Sequence, residues 1–311
     1  MLRPDTHPSR VTFPSDFEAV ITRTFNASRE LVYAASTQPE HVRRWYGLRH
    51  HTMPVCEIDL RPGGRWRYVL KDREGNEFGF SGEYLELEPP GRMVYTEGFE
   101  AMPGHDYVVT ATLTEEAGRT TLEARLRYRS REDRDGHFAS GMESGMRESH
   151  DRLEEVLLEA TGGATPRDIM LKRFVDASRD LVWEAFTDPA HLVNWWGPEG
   201  FTNTFQEIDI RPGGTWRFVM HGPDGTDYDN HIVFDVIEKP SRIEFDHGPA
   251  PVFRSTITLE EVDGRTLVTM TARLETPELR EQIATYAVDG GRSTLNRLAA
   301  LVEGIVAAGA R

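Results

Sequence analysis

A chain of 311 residues has room for about two domains of ordinary size. Its net charge of −15 argues against a nucleic-acid backbone or an anionic membrane surface as partner. The single cysteine, Cys56, excludes an intrachain disulfide and fits a reducing cytoplasm, and no apolar run approaches the ~20 residues of a membrane-crossing helix.

Residues 1 to 15 are polar and broken by prolines, which predicts a loose arm; they lack the apolar stretch of a signal peptide. Phe17–Phe25 alternates as a first strand. Ser28 is placed to cap a short helix carrying Leu31, Val32 and Ala35, and Pro39 restarts a second one that ends at Trp45-Tyr46-Gly47. Strands are then expected at Val55–Leu60, Arg65–Leu70, Phe78–Leu87, Met93–Phe99, Tyr107–Leu113 and Thr120–Tyr128. Their short connections make neighbours antiparallel. Phe138, Met142, Met146, Ser149, Leu153 and Val156 recur at helical spacing and predict one long helix. Thr161-Gly162-Gly163-Ala164-Thr165-Pro166 reads as a linker.

The chain then starts again. Glu57-Ile58-Asp59-Leu60-Arg61-Pro62-Gly63-Gly64-Arg65-Trp66-Arg67-Tyr68-Val69 returns 150 residues later as Glu207–Val219, with ten of thirteen positions identical. Ser178, Pro189 and Trp195-Trp196-Gly197 repeat the helix pair. Ile283, Ala287, Gly290, Thr294, Leu298, Leu301 and Ile305 repeat the long helix. The expected organisation is an arm at 1–15, a first domain at 16–160, a linker at 161–166 and a second domain at 167–311. In each copy Pro-Gly suits the centre of a type II turn. The strand after it carries Trp66 and Tyr68, or Trp216 and Phe218, on one face.

These residues resemble a known group. Trp-Tyr/Trp-Gly after a Pro-led helix, then Arg-Pro-Gly-Gly-x-Trp, is similar to the activator-of-heat-shock-ATPase-homologue-like family of the START-related, Bet v 1-like (SRPBCC) superfamily. The mid-sheet turns at Glu88-Pro89-Pro90-Gly91-Arg92 and Glu238-Lys239-Pro240-Ser241-Arg242 fit that pattern. The resemblance implies an α+β class with two helix-grip domains. Each would be a seven-stranded curved antiparallel sheet around a long C-terminal helix, with two short helices after the first strand. It also implies a cavity between sheet and helix for a small apolar or amphipathic ligand.

Trp66, Tyr68, Met142 and Met146 are the expected lining of the first cavity, and Trp216, Phe218, Ala287 and Gly290 of the second, unless the same residues simply pack as core. Because Met gives way to Ala and Gly, the second cavity is expected to be the roomier. Trp45 and Trp195 would lid a pocket or anchor the helix pair. Arg147 and Arg292, at equivalent helix positions, could pair with a ligand carboxylate or phosphate at a pocket mouth, or with a surface acid.

Asp227, Asp229 and His231 share one strand face. If that face lines the cavity, His231 oriented by Asp229 could serve as a general base; if it faces water it is an ordinary solvated strand. No His-x₃-His or Cys-x₂-Cys spacing points to a metal, and neither a Gly-x-Ser-x-Gly elbow nor a P-loop occurs, so no cofactor is expected. Three readings follow: a carrier of a small apolar ligand, a cyclase-, aromatase- or hydrolase-like enzyme using the same cavity, and a co-chaperone-like interaction module. Self-association is a further option, with no nucleic acid and no membrane insertion.

Overall fold

The computed structural model describes residues 8–309. It divides into two compact units between Thr161 and Gly162. In the first, β1 (Arg10–Ser15) and β2 (Glu18–Phe25) precede α1 (Arg29–Thr37) and α2 (Pro39–Trp45). There follow β3 (Thr52–Ile58), β4 (Arg65–Lys71), β5 (Glu77–Glu88), β6 (Arg92–Phe99), β7 (Tyr107–Glu116) and β8 (Arg119–Arg127), then α3 (Arg131–Ala139) and α4 (Met142–Thr161). The second unit holds β9 (Asp168–Val175), α5 (Arg179–Thr187), α6 (Pro189–Trp195), β10 (Thr202–Ile208), β11 (Thr215–His221), β12 (Asp227–Glu238), β13 (Arg242–Gly248), β14 (Phe253–Val262), β15 (Arg265–Arg273) and α7 (Pro277–Gly309).

Both sheets are antiparallel. The strand orders are β1-β2-β8-β7-β6-β5-β4-β3 and β10-β11-β12-β13-β14-β15-β9. The first sheet has one strand more than expected. Arg10–Ser15, read from sequence as part of a loose arm, pairs with β2 from Arg10↔Thr22 onward. Its prolines flank or sit in an edge strand, where a missing N–H costs no ladder bond. Residues 1–7 of that arm lie outside the described residues.

The repeated turn behaves as its residues require. Gly63 and Gly213 take φ of +76° and +77°, and the amides of Gly64 and Gly214 donate to the carbonyls of Arg61 and Arg211 at 2.8 Å. The turn is then tied to the next strand but one, since Gly63 N–H donates to Tyr84 O at 2.7 Å and Tyr84 N–H donates to Gly64 O at 2.9 Å. Ser28 and Ser178 cap α1 and α5 by accepting from Leu31 N and Leu181 N. Gln38 and Asp188 before the prolines are extended, which separates the paired short helices.

The two terminal helices differ. α7 is continuous over 33 residues. The first copy is broken between Ala139 and Met142, where Gly141 takes φ of +87°, a value L-residues disfavour. One long helix was expected there. Helical spacing of apolar residues runs through the break and cannot report a single left-handed glycine.

Asp168 anchors the start of the second unit. Its carboxylate accepts from Arg273 at 2.8 and 3.1 Å and from Thr165 N–H and Oγ at 2.9 Å. These bonds, the Arg273 one foremost, hold its pKa at about 2 against the ordinary 3.8. A depressed acid contributes stability that is present above its ordinary pKa and is lost as pH falls from 3.8 towards about 2. Acid unfolding of the Asp168→Asn variant is therefore expected to be flatter through that window than that of the parent. Equal slopes would remove Asp168 from the acid response.

Candidate functional site

The first unit is hollow. A cavity of about 940 Å³ lies between its sheet and α3–α4. Strand alternation builds most of the wall. β4 turns Trp66, Tyr68 and Leu70 inward and Arg65 and Arg67 outward, and β6 turns Met93, Tyr95, Glu97 and Phe99 inward. β5 adds Phe78, Phe80 and Tyr84, β7 and β8 add Ala111 and Ala124, and the end of α2 adds Trp45 and Tyr46. The helix side is thin: Gly136, Gly141 and Gly145 line the cavity beside Met142 and Met146. The buried hydrophobic residues of this unit accordingly fall into three separate clusters around the space.

In the second unit they form one continuous cluster, in which Trp216 and Phe218 are each 2% exposed and Trp195 is wholly buried. The small residues expected to make the second cavity roomier are in close contact instead. Arg152 donates to the carbonyls of Arg44 and Gly47, and Arg297 to those of Asn194 and Gly197, so the terminal helices correspond at an offset of 145 residues. Met146 then corresponds to Gly291. A Cβ on Gly291 would stand 2.4 Å from Leu171 Cδ1, so glycine here admits the β9 side chain into the helix surface and leaves no gap. Gly290 faces Pro198 at 3.4 Å in the same way, and Ala287 packs on the core. Gly291→Met is expected to cost the second unit ~1–3 kcal/mol through overpacking. Hydrogen exchange should then quicken in β9 and α7 peptides; unchanged exchange there would contradict the packing argument.

Trp45 and Trp195 both anchor the helix pair, donating to the carbonyls of Ala35 and Ala185 at 2.8 and 2.9 Å, but only Trp45 also borders the cavity described above. Arg147 is not among the residues lining the cavity and pairs with Glu143 one turn back at 2.8 Å. Arg292, half-buried on α7, belongs to the unit with the continuous core.

His231 is not a cavity base. It lies opposite Arg217 in the β11–β12 ladder, while the inward pair is Trp216↔Ile232, so His231, Asp229 and Asp227 share the outer face. Glu184, Asp188 and His191 lie close enough together to hold an ion, yet Asp188 caps α6 through Ala190 N–H and Glu184 is exposed.

Sequence reading missed the polar heart of the cavity. Glu97 keeps some accessible surface, but it lines the cavity, and burial raises its carboxyl above the ordinary range. Tyr46 donates to Glu97 Oε1 at 3.4 Å, and Tyr107, opposite Glu97 in the β6–β7 ladder, donates to the same carboxyl, which moderates the rise. Burial pushes the phenols of Tyr46, Tyr95 and Tyr107 well above their usual value, so all remain hydroxyl donors. Tyr128 Oη meets His137 Nδ1 at 2.8 Å, and burial lowers His137 to about 4, leaving it neutral at pH 7.

A signal for this was present in the repeat. Tyr46, Tyr68, Tyr84, Tyr95, Tyr107 and Tyr128 correspond to Trp196, Phe218, Phe234, Phe245, Phe253 and Leu274. Every hydroxyl in the set is confined to the hollow copy. Glu97 corresponds to His247, which stacks on Phe253 at 4.4 Å and meets Asn230 Oδ1 at 2.9 Å.

Two sheets, each gripping a terminal helix and one enclosing an aromatic cavity, make this a tandem helix-grip protein. The model of the family described as Activator of Hsp90 ATPase homolog 1-like protein matches residues 26–158 and 176–303, and the chain belongs to that family. Among solved structures, a protein from Rhodobacter sphaeroides is 30% identical, covering 49% of this chain and 99% of its own, with a TM-score of 0.47. One from Nitrosomonas europaea is 24% identical over 48% of this chain and 99% of its own, with a TM-score of 0.44. The di-domain ARO/CYC BexL from the BE-7585A biosynthetic pathway is 17% identical, covering 92% of this chain and 98% of its own, with a TM-score of 0.38. No curated protein matches the chain. Among the described residues, no helix is long and apolar enough to cross a membrane.

Proposed function

We propose that the protein binds a small apolar or amphipathic molecule in its first unit, and that the second unit is a solid structural copy. The cavity of about 940 Å³ carries this reading. Its size is at the upper end of ligand pockets, ~300–1,000 Å³, and its wall is largely apolar, rich in aromatic rings, with a few convergent polar groups. The ligand residues on this reading are Trp45, Trp66, Tyr68, Met142 and Met146, with Tyr46, Glu97, Tyr107 and His137 as the polar set. The lone buried Cys56 fits a cytoplasmic setting. Titration of the full chain with N-phenyl-1-naphthylamine, a neutral apolar fluorophore, tests it. Saturable one-to-one binding is expected, and an absence of saturable binding would overturn the proposal.

A further inference from the structure

The geometry points to an organic cation as the ligand: an amine or protonated nitrogen heterocycle with an apolar or aromatic body, its charge held by Glu97. This rests on the cavity reading above and narrows it.

Charge on the wall is one-sided. The described lining residues include three carboxylates, Glu97, Glu132 and Asp133, and no lysine or arginine. An anionic ligand such as a fatty acid or a phosphate ester would meet no lysine or arginine among these lining residues. Of the lining histidines, His137, on α3, is held neutral at pH 7 by burial and bonded to Tyr128, and His105 is already paired with Asp133 at 2.6 Å.

Glu97 is equipped to act as an anion when a cation arrives. Tyr46 from α2 and Tyr107 from β7 both donate to it, so its oxygens serve as acceptors, and further acceptor positions remain for a ligand N–H. Without a counter-ion, burial disfavours the ionised form; a ligand cation removes that penalty by pairing with it. The aromatic faces around the cavity add attraction that is specific to positive charge, since each ring presents a negative face. The second unit lacks this carboxylate and its donors, with His247 at the Glu97 position and tryptophan or phenylalanine in place of Tyr46, Tyr95 and Tyr107. The chain's net charge of −15 would also favour the approach of cations at low salt.

Three planar probes of similar shape separate the alternatives: 9-aminoacridine, cationic at neutral pH; acridine, neutral; and anthracene-9-carboxylate, anionic. Titrated against the full chain, 9-aminoacridine is expected to bind at least ~10-fold more tightly than acridine, and anthracene-9-carboxylate most weakly. Glu97→Gln should abolish the preference for the cation, and an unchanged circular-dichroism melting curve shows that the variant is folded. Equal binding of acridine and 9-aminoacridine, or a preference that survives Glu97→Gln, would overturn the inference and leave the cavity reading standing. Failure of all three probes together with N-phenyl-1-naphthylamine would remove both.

Discussion

Replacing Arg23 by methionine is expected to destabilise the first unit by ~3–5 kcal/mol, because it leaves buried carboxylates without their cation. Arg23 projects from β2 with a side chain only 2% exposed, and it reaches Asp151 at 3.0 Å and Glu154 at 3.5 Å on α4. Glu154 is also held by the backbone and side-chain amides of Asn26, at 3.1 and 3.2 Å. Burial nevertheless keeps Glu154 above the ordinary carboxylate range, with Arg23 pulling it down. An acid raised in the fold binds its proton more tightly there than in the unfolded chain. Its contribution therefore favours folding at low pH and weakens as pH climbs from the ordinary value of 4.5 through the raised one. The loss in Arg23→Met should accordingly be largest at pH 7, shrink towards pH 5, and be partly recovered by adding Glu154→Gln. Hydrogen exchange of β2 and α4 peptides in the full chain reads the effect by unit. A loss below ~1 kcal/mol at pH 7 would show that this cluster, despite its burial, is as weak as a surface pair.

The second large effect concerns the cavity. Ala124 on β8 faces it between Leu122 and Leu126, opposite Ala111 and Ile21, and is half-buried. Ala124→Trp places an indole there. Binding of N-phenyl-1-naphthylamine is expected to fall roughly 100-fold, equivalent to about 2.8 kcal/mol. The melting temperature should hold or rise, since a void is being filled and no packed neighbour displaced. Should the indole prove too large, Ala124→Phe is the smaller filler and should give a lesser loss of the same sign. An unchanged affinity in both variants, with the fold intact, would place the dye elsewhere and undo the assignment of the cavity as the binding site.

Much of the architecture was legible from the residues because it depends on local chemistry. Ser28 and Ser178 cap helices wherever those helices dock, Pro39 and Pro189 restart them, and Pro-Gly closes the same hairpin twice. Alternation in β4 and β11 assigned Trp66 and Trp216 to the inner face correctly in both copies. The same rule applied to β6 would have exposed Glu97, an acid in phase with Met93, Tyr95 and Phe99. The loss of six tyrosine hydroxyls between the copies would have said which cavity is polar. His231 was harder. Alternation places it with Asp229 on one face, but only the pairing of Trp216 with Ile232 reveals that this face is the outer one.

What the sequence determined by itself is the duplication, the order and phase of the strands after the first, the turns and the family. Which copy is hollow was decided by the tertiary structure. Both terminal helices carry small residues at their thin ends, and side-chain size alone assigns the larger space to the second copy. A glycine permits a gap or a close approach with equal ease, and the choice depends on what stands opposite in space. Leu171 enters at Gly291 and closes one interface, while the break at Gly141 ends one helix and starts another over the space in the first unit. Leu171 and Gly291 stand about 120 positions apart in the chain. The outcome is set by helix-to-sheet distance, a property of the packed fold that no local pattern contains.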